Sequence, residues 1–234
     1  MIFLIVAILG IQGKMGSFIN YVLNNRLNYE VVAGIDRKKE FSNLKIYEDL
    51  STLLENHKID LLVDFSNKDI SYETIKLALQ NNIKVISGTT GYSKNELLEL
   101  KSYCNKDNSF IYTPNFCIGS AVMYDICEKI YHNFNSKDIV ESHNNKKKDA
   151  PSGTARELAD LLNIDLNDVQ SLRLNDIIGA HDVIFNNKGE KLIIRHEVYH
   201  KDAFLKGFLT CLDKLEKNNF IVIGLKEYFN FIGR

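Results

Sequence analysis

The sequence predicts an α/β protein with two domains, one built on a parallel sheet and a second, α+β domain with a mostly antiparallel or mixed sheet. Three observations lead to this prediction. Residues 2–9 form a continuous apolar run, which is typical of a parallel strand buried on both faces. Strand and helix patterns then alternate as far as residue 112. In the second half, two strand patterns flank a hairpin signal at residues 186–189.

The parallel sheet is predicted from five strand patterns with helices between them. Apolar residues at helical spacing begin at Met15, directly after the first strand. The strands are expected at residues 2–9, 30–35, 59–65, 83–87 and 109–112. Further helices are expected at residues 47–56, 72–81 and 94–104, followed by a long apolar helix at 118–134.

The second domain is predicted from strand patterns at residues 137–142, 169–174, 181–185 and 191–199. An apolar helical face between Ala155 and Leu162 follows the first of these strands. A helix with apolar residues between Phe204 and Leu215, and a strand at 220–225, are expected to return to the first domain. The predicted domains are therefore residues 1–116 with 204–234, and residues 117–203.

Composition excludes several classes of protein. With 234 residues, of which 45% are hydrophobic, the chain can bury a substantial core. Its net charge of -1 argues against a nucleic-acid partner. No run approaches the ~20 apolar residues that cross a bilayer, and residues 1–9 lack the basic segment of a signal peptide. The four cysteines form no C-x-x-C pair, so we expect reduced thiols in a cytoplasmic protein without membrane contact.

Three glycines, Gly10, Gly13 and Gly16, occupy the predicted turn from the first strand to the first helix. Glycines there allow backbone to approach a pyrophosphate, which the helix N-terminus also favours. Taken alone, the spacing is equally compatible with an ordinary turn. Asp36, ~20 residues later at the end of the second predicted strand, suits an adenosine ribose, and Arg37 suits a 2′-phosphate. Together these features predict a Rossmann-like nucleotide domain that accepts NADH or NADPH.

The stretch from Glu141 to Ala155 is the most concentrated candidate site. His143 titrates near neutral pH, and residues 146–148 are three lysines. Pro151 suits a first helical turn, and the backbone N–H groups of the residues after it can hold an anion. A carboxylate substrate fits these features, whereas the lysine run alone is more typical of a solvated basic loop. The tetrapeptide at residues 88–91 ends a predicted strand at the edge that binds cofactors in such sheets, although an ordinary turn is an equal alternative.

The pentapeptide from His196 to His200 matches the zinc-protease pattern H-E-x-x-H. That chemistry requires a helix, on which the two histidines lie within ~6 Å. On a strand they lie ~13 Å apart, which is too far to share a metal ion. Because the residues before His196 are β-branched and follow a hairpin signal, we expect a strand and no metal site.

These residues resemble the dihydrodipicolinate reductase family over essentially the whole chain. The most specific mark is H-x-x-x-K-x-D-A-P-S-G-T-A at residues 143–155. The other marks are G-x-x-G-x-M-G at 10–16, Asp36-Arg37, V-D-F-S at 63–66, G-T-T-G at 88–91, Asn115-Phe116 and G-x-H at 179–181. The resemblance implies reduction of 4-hydroxy-tetrahydrodipicolinate, a cyclic dicarboxylate, with NADPH or NADH in the diaminopimelate/lysine pathway. It also implies a homotetramer built through the sheets of the second, substrate-binding domain.

The resemblance also implies roles for individual residues. The general acid falls on His143 and the catalytic lysine on Lys147, and the residues implied to bind substrate are Asn144, Gly153 and Thr154. The residues implied to contact the cofactor pyrophosphate are Gly10, Ile11, Gln12, Gly13, Lys14 and Met15. Asp36 is implied at the adenosine ribose and Arg37 at the 2′-phosphate. The residues implied to lie by the nicotinamide are Gly88, Thr89, Thr90, Thr113, Pro114, Asn115 and Phe116.

The chain departs from the family pattern at three places. Asn144 replaces a second histidine, although its amide can still donate to a carboxylate. Cys117 replaces a serine, and residues 174–176 replace a glycine-rich segment. Two other functions remain as alternatives: a non-catalytic NAD(P)-binding sensor of the same fold, and another NAD(P)-dependent oxidoreductase such as an amino-acid dehydrogenase.

Overall fold

The computed structural model describes residues 3–37, 44–217 and 221–223. The chain forms two compact units: Met1–Pro114 with Cys211–Ile223, and a second unit that contains Asn115–Thr210. These divisions lie two and seven residues from the predicted domain boundaries at 116/117 and 203/204, which stay a prediction. None of the helices in the described ranges is both long and apolar enough to cross a membrane.

The strands in chain order are β1 (Leu4–Leu9), β2 (Tyr29–Ile35), β3 (Lys45–Tyr47), β4 (Leu61–Asp64), β5 (Lys84–Ser87), β6 (Phe110–Tyr112), β7 (Ser136–Asn144), β8 (Gln170–Leu174), β9 (Gly179–Asn187), β10 (Glu190–Val198) and β11 (Ile221–Ile223). The helices are α1 (Lys14–Asn24), α2 (Leu50–Leu54), α3 (Lys68–Gln80), α4 (Lys94–Ser102), α5 (Ile118–Ile130), α6 (Gly153–Leu162) and α7 (Leu205–Lys217). Local capping explains several helix starts, since Asp49 caps α2, Ser152 caps α6, and Ser93 with Glu96 forms a capping box on α4.

The first unit contains a seven-stranded sheet in the order β11-β6-β5-β4-β1-β2-β3, with every described pair parallel. Val6, Ala7 and Ile8 in the centre of β1 are fully buried, as a strand covered on both faces requires. The strand order reverses between β1 and β4. The carboxyl ends of these two strands therefore mark the crevice where sheets of this kind bind ligands.

The second unit contains a four-stranded mixed sheet in the order β10-β9-β7-β8. Strand β9 is antiparallel to β7 and β10, whereas β7 and β8 are parallel. Residues of α5 and α6 pack with Ile139, Val183 and Phe185 on one face of the sheet. The predicted combination of a parallel sheet and a second, mixed sheet is confirmed.

The predicted bounds of several elements needed correction. The predicted helix at 47–56 is wrong at its start, because Tyr47 belongs to the short edge strand β3 and the helix is only Leu50–Leu54. Strand β7 extends two residues beyond the predicted end, which puts His143 on the strand instead of the loop. Helix α5 ends at Ile130, four residues early. Strand β11 lies inside the predicted strand at 220–225, whose other residues lie outside the described ranges.

Candidate active site

The turn between β1 and α1 requires glycine at two positions. Gly10 has φ +76, and a Cβ atom there would lie 2.6 Å from the carbonyl oxygen of Phe65. A Cβ atom at Gly16 would lie 2.1 Å from the carbonyl oxygen of Gly10. A side chain at Gly10, in the turn, or at Gly16, near the start of α1, would therefore collide with backbone.

A cavity of about 500 Å³ opens beside this turn. It is lined by Leu9, Gly10, Gln12, Gly13, Ile35, Asp36, Arg37, Glu48, Phe65, Ser66, Asn67 and Ile70. Asp36 Oδ2 accepts a hydrogen bond from the backbone N–H of Gln12 at 3.0 Å, and Oδ1 accepts one from that of Arg37 at 2.8 Å. Because each carboxylate oxygen has two lone pairs, both can still accept a hydroxyl donor. The cavity and its acceptors fit the adenosine half of a dinucleotide.

Asp64 organises the neighbouring strand ends, although sequence reasoning assigned it no role. It is fully buried at the end of β4 and accepts hydrogen bonds from the hydroxyls of Ser66, Ser71 and Ser87. The backbone N–H of Ser66 also donates to Thr89 Oγ1 at 3.0 Å. The carboxylate thereby ties the end of β4 to the tetrapeptide that follows β5. The V-D-F-S motif was the available signal, because an acidic residue at a buried strand end needs such partners.

The residues predicted near the nicotinamide fall in both units. Gly88 and Thr89 directly follow β5, with Gly88 N–H bonded to the Asp64 carbonyl at 2.9 Å, and Thr90 comes next. Thr113 N–H bonds the Ser87 carbonyl at 3.1 Å, and Pro114 ends the first stretch of this unit. Asn115 and Phe116 belong to the second unit. There Asn115 Nδ2 donates to Thr154 Oγ1 at 3.3 Å, which joins a predicted cofactor residue to a predicted substrate residue.

Strand pairing in the second unit collects four ionisable side chains on the sheet face that carries α5 and α6. Glu141 and His143 are two residues apart on β7 and therefore project to the same face. Arg173 on β8 lies beside His143, and His181 on β9 lies beside Glu141. Sequence reasoning assigned a role to His143 alone, although Glu141 begins the candidate stretch and His181 belongs to the G-x-H mark. These side chains come from three strands, and the strand register that brings them together cannot be read from the local sequence.

His143 is held from behind by Glu141. The imidazole Nδ1 hydrogen-bonds Glu141 Oε2, and Glu141 Oε1 accepts a bond from Arg173 Nη1 at 2.9 Å. Burial raises the pKa of Glu141, but hydrogen bonds led by that of His143 outweigh it and bring the pKa to about 2. The carboxyl group is therefore ionised at neutral pH and accepts a hydrogen bond from the Nδ1–H group of His143.

Lys147 lies in the turn that follows β7. Its Nζ pairs with Asp149 Oδ1 at 2.9 Å, and its backbone N–H bonds the Asn144 carbonyl at 2.9 Å. The side chain of Asn144 accepts a bond from Lys146 N–H at 3.1 Å. Since neighbouring strand residues project to opposite faces, Asn144 projects away from His143. The structure does not bring these two side chains together, and a substrate contact by Asn144 stays a prediction.

The N-terminus of α6 begins at Gly153, with Ser152 as its cap and Pro151 just before the cap, not in the first turn. Ser152 Oγ accepts a bond from Ala155 N–H at 3.2 Å. The N–H groups of Gly153 and Thr154 are the first two of the helix and have no acceptor within it. The structure therefore places the N–H groups of Gly153 and Thr154 at a helix N-terminus, and their contact with a substrate carboxylate stays a prediction.

His181 connects His143 with the start of α6. Its Nε2 lies 3.0 Å from Ser152 Oγ, and its ring lies edge-on to that of His143 with centroids 5.2 Å apart. Burial lowers its pKa to about 3, so the ring is neutral. Ligand atoms of Glu141, His143 and His181 lie within 4.8 Å of one another, a spacing that a metal ion can bridge. However, Arg173 already supplies the positive charge at Glu141, which favours a hydrogen-bonded group over a metal site.

The first three residues of the zinc-protease pattern lie on a strand and not on a helix. His196 is in β10, whereas His200 follows the strand and begins a short turn. The His196 ring packs against α5, where a Cβ atom at Gly119 would meet it at 2.6 Å. Cys117, another position at which the chain departs from the family pattern, is buried at the start of α5. Burial raises the pKa of its thiol to about 12. It therefore stays an uncharged thiol.

Comparison with known proteins identifies the chain. Seven parallel strands with a glycine turn after β1 and an acidic residue after β2 define a two-domain, dinucleotide-binding protein of the Rossmann type. The chain belongs to the dihydrodipicolinate reductase family. The family model described as Dihydrodipicolinate reductase, N-terminus matches residues 4–116, and the one described as Dihydrodipicolinate reductase, C-terminus matches residues 119–229.

Individual relatives agree with this assignment. The 4-hydroxy-tetrahydrodipicolinate reductase of Streptococcus uberis is 29% identical, with 95% of this chain and 98% of the relative aligned. The solved structure of a dipicolinate-bound dihydrodipicolinate reductase from Paenisporosarcina sp. TG-14 is 25% identical, with a TM-score of 0.77 over 97% of this chain and 100% of that one. An aspartate dehydrogenase from Thermotoga maritima is 13% identical, with a TM-score of 0.54 over 92% of this chain and 97% of that one, and shares the fold alone.

Proposed function

We propose that this chain reduces 4-hydroxy-tetrahydrodipicolinate to tetrahydrodipicolinate with NADPH or NADH, as part of diaminopimelate and lysine biosynthesis. The observation that carries the proposal is the group around His181. This one buried ring contacts both the His143 imidazole and the Ser152 cap of α6. A proton donor and a helix start suited to a carboxylate are therefore joined through a single side chain. Reduction of a cyclic dicarboxylate requires both a proton donor and a group that binds a carboxylate.

The residues of the first unit fit a nicotinamide dinucleotide. Gly10 has no side chain that would collide with the backbone at Phe65. Asp36 lines the cavity of about 500 Å³ and can accept further hydrogen bonds. We assign Gly10, Ile11, Gln12, Gly13, Lys14 and Met15 to its pyrophosphate, Asp36 to its ribose and Arg37 to the 2′-phosphate of NADPH. We assign Gly88, Thr89, Thr90, Thr113, Pro114, Asn115 and Phe116 to the nicotinamide end. When bound, the reduced dinucleotide supplies the hydride.

The residues of the second unit bind the substrate and supply the proton. The N–H groups of Gly153 and Thr154 hold one substrate carboxylate, helped by the partial positive charge of the helix N-terminus. His143 donates a proton from Nε2, because Glu141 engages its Nδ1. Lys147 stabilises negative charge on the substrate, and its ion pair with Asp149 keeps the ammonium group within the same turn.

We further propose assembly into a homotetramer through the second sheet. The sheet face opposite α5 and α6 carries Leu172 and Ile193, which are 46% and 53% exposed. Strand pairing places both on this face, since Leu172 lies beside Ser142 and Ile193 beside Ile184. Exposed apolar side chains on an uncovered sheet face are typical of an interface between chains.

The test is oxidation of NADPH and of NADH by the purified chain, with substrate formed in situ from pyruvate and aspartate semialdehyde by a coupling synthase. We expect oxidation that depends on both precursors. His143→Gln and Lys147→Ala should each lower kcat by about 10²-fold or more, because each removes a group that acts on the reacting substrate.

His132→Gln is the matched control, because it removes an exposed imidazole from the turn after α5 and should leave kcat unchanged. Bound dinucleotide without any oxidation in the unmodified chain would instead support the non-catalytic sensor. Near-normal kcat in both site variants would exclude the assigned roles.

A further inference from the structure

Glu141 is a fully buried carboxylate with two ionic partners, the imidazole of His143 and the guanidinium of Arg173. Its two oxygens are engaged separately, Oε2 by the imidazole and Oε1 by the guanidinium of Arg173. A buried carboxylate is stable only when such partners compensate its charge. The arrangement therefore fixes the carboxylate and, through it, the plane of the imidazole.

Arg173 connects this carboxylate to the turn that carries Lys147. Besides Glu141, its guanidinium donates to the Asp149 carbonyl at 2.5 Å and to the Leu172 carbonyl at 2.7 Å. Asp149 in turn pairs with Lys147 through its side chain. Arg173 therefore does two things at once: it neutralises Glu141 and anchors the turn after β7.

The other ring nitrogen of His143 packs closely against Gly179. A Cβ atom at Gly179 would lie 2.7 Å from His143 Nε2, so any other residue would press on this nitrogen. The neighbouring His181 ring is uncharged and leaves the carboxylate as the dominant charge beside the imidazole. Nδ1 is thus engaged by an anion, while Nε2 lies over Gly179, where a side chain would displace the ring.

We infer that Glu141 is a positioning residue for His143, which holds the ring proton on Nδ1 and stabilises the charged imidazole until Nε2 gives up its proton. This inference deepens the proposed function and rests on it. Glu141 does not touch the substrate in this scheme. It decides which nitrogen transfers the proton and keeps that nitrogen on the side of the ring away from the carboxylate, over Gly179.

The experiment compares Glu141→Gln with the unmodified chain by steady-state kinetics and by 15N NMR of the imidazole. Glutamine keeps the shape but loses the charge. We expect kcat to fall about 10²-fold while KM for the dinucleotide stays within about twofold. In the NMR spectrum of the neutral ring, the Nδ1–H tautomer of His143 should lose population to the Nε2–H tautomer. The His143 signals are assigned by their absence from His143→Gln.

Two further variants keep the result interpretable. Glu190→Gln removes a carboxylate at the far end of the same sheet, where Glu190 pairs with Asn187, and should change neither measurement. The double variant Glu141→Gln/Arg173→Gln removes both charges, so no buried guanidinium is left unpaired. In a stably folded double variant, a low kcat together with a shift of His143 to the Nε2–H tautomer traces the loss to the missing carboxylate, because loss of Arg173 alone leaves the bond between Glu141 and Nδ1 in place. If kcat recovers there, the inference is overturned.

The two readouts separate this inference from the proposed function. An unmodified chain without reductase activity would overturn the function, but a tautomer change in Glu141→Gln would still support positioning of His143. Unchanged tautomer populations together with unchanged kcat in Glu141→Gln would overturn the positioning role and leave the reductase assignment intact.

Discussion

At the scale of single residues, the second unit depends on His181 remaining uncharged. The ring is 3% exposed and lies among Glu141, His143, Lys147 and His196, whose charges all act on it. Burial is the largest cause of its lowered pKa, and the positive neighbours add to the effect. A protonated His181 would place a positive charge beside His143. In its neutral form, the His181 ring contacts the Ser152 hydroxyl.

The lowered pKa of His181 predicts a specific loss of stability in acid. In the unfolded chain the ring takes up a proton near pH 6.5, whereas in the folded protein it does so only near pH 3. The unfolded state therefore binds more protons between these values, and stability falls as the pH falls through this window. From pH 6.5 to about pH 5 this one residue should cost about 2 kcal/mol of unfolding free energy. Urea unfolding at the two pH values measures the loss.

His181→Gln should lose less stability over the same interval, because glutamine does not titrate. His132→Gln, which removes an exposed imidazole, should follow the unmodified protein. An identical loss in all three proteins would mean that other groups govern acid unfolding and that the His181 ring is not held neutral.

At the scale of elements, the turn between β1 and α1 separates two effects of replacing a glycine. One is strain from a positive φ, and the other is collision of the new Cβ atom with neighbouring backbone. Gly10 and Gly189 both have positive φ, +76 and +89. Only Gly10 has backbone where a Cβ would lie, because Gly189 has no atom within 4 Å of that position. Alanine at either position pays for backbone strain of about 1–2 kcal/mol, but only alanine at Gly10 must also displace the chain at Phe65.

We therefore expect Gly10→Ala to weaken NADPH and NADH binding by about 10-fold or more, an effect of at least about 1.4 kcal/mol. Gly189→Ala should bind both dinucleotides normally, with its strain visible only in the unfolding free energy. Fluorescence titration of the reduced dinucleotides measures the affinities. If Gly10→Ala is too unstable to titrate, Gly13→Ala offers a milder test, since its Cβ would lie 3.1 Å from the Gly10 carbonyl. Equal affinities of Gly10→Ala and Gly189→Ala for the dinucleotides would show that the glycine turn is not part of the binding site.

Elements with strong local patterns were predictable from sequence, and long-range pairings were not. The apolar run at β1 and the glycines after it predicted a buried strand and a tight turn, both of which the structure has. Glu141 and His143 also share a face by strand periodicity alone. Arg173, however, reaches Glu141 from 32 residues away, through a parallel pairing that no local pattern encodes. Only Tyr47 of the three-residue strand β3 was placed in a helix, and its first two residues were assigned to no element, because so short a segment has no clear period.

At the scale of the whole molecule, the proposed tetramer depends on the open face of the second sheet. Leu172 and Ile193 supply its exposed apolar area, beside the ion pairs of Arg195 with Asp182 and Glu197 at 2.8 and 3.1 Å. Burying this face against other chains removes apolar surface from water and leaves the ion pairs satisfied within each chain. A tetramer built through this face would therefore be weakened by charge at its apolar positions.

We expect the unmodified protein to have four chain masses by light scattering coupled to size exclusion, and Leu172→Lys/Ile193→Lys to have a smaller mass, because the added lysines would lose their hydration in the interface. The matched control is Leu27→Lys/Leu98→Lys, which charges two leucines of the first unit that are 92% and 61% exposed. It should keep the mass of the unmodified protein. A tetramer that survives charge at Leu172 and Ile193 would have to assemble through another surface, and an unmodified chain that runs as a monomer would exclude this assembly altogether.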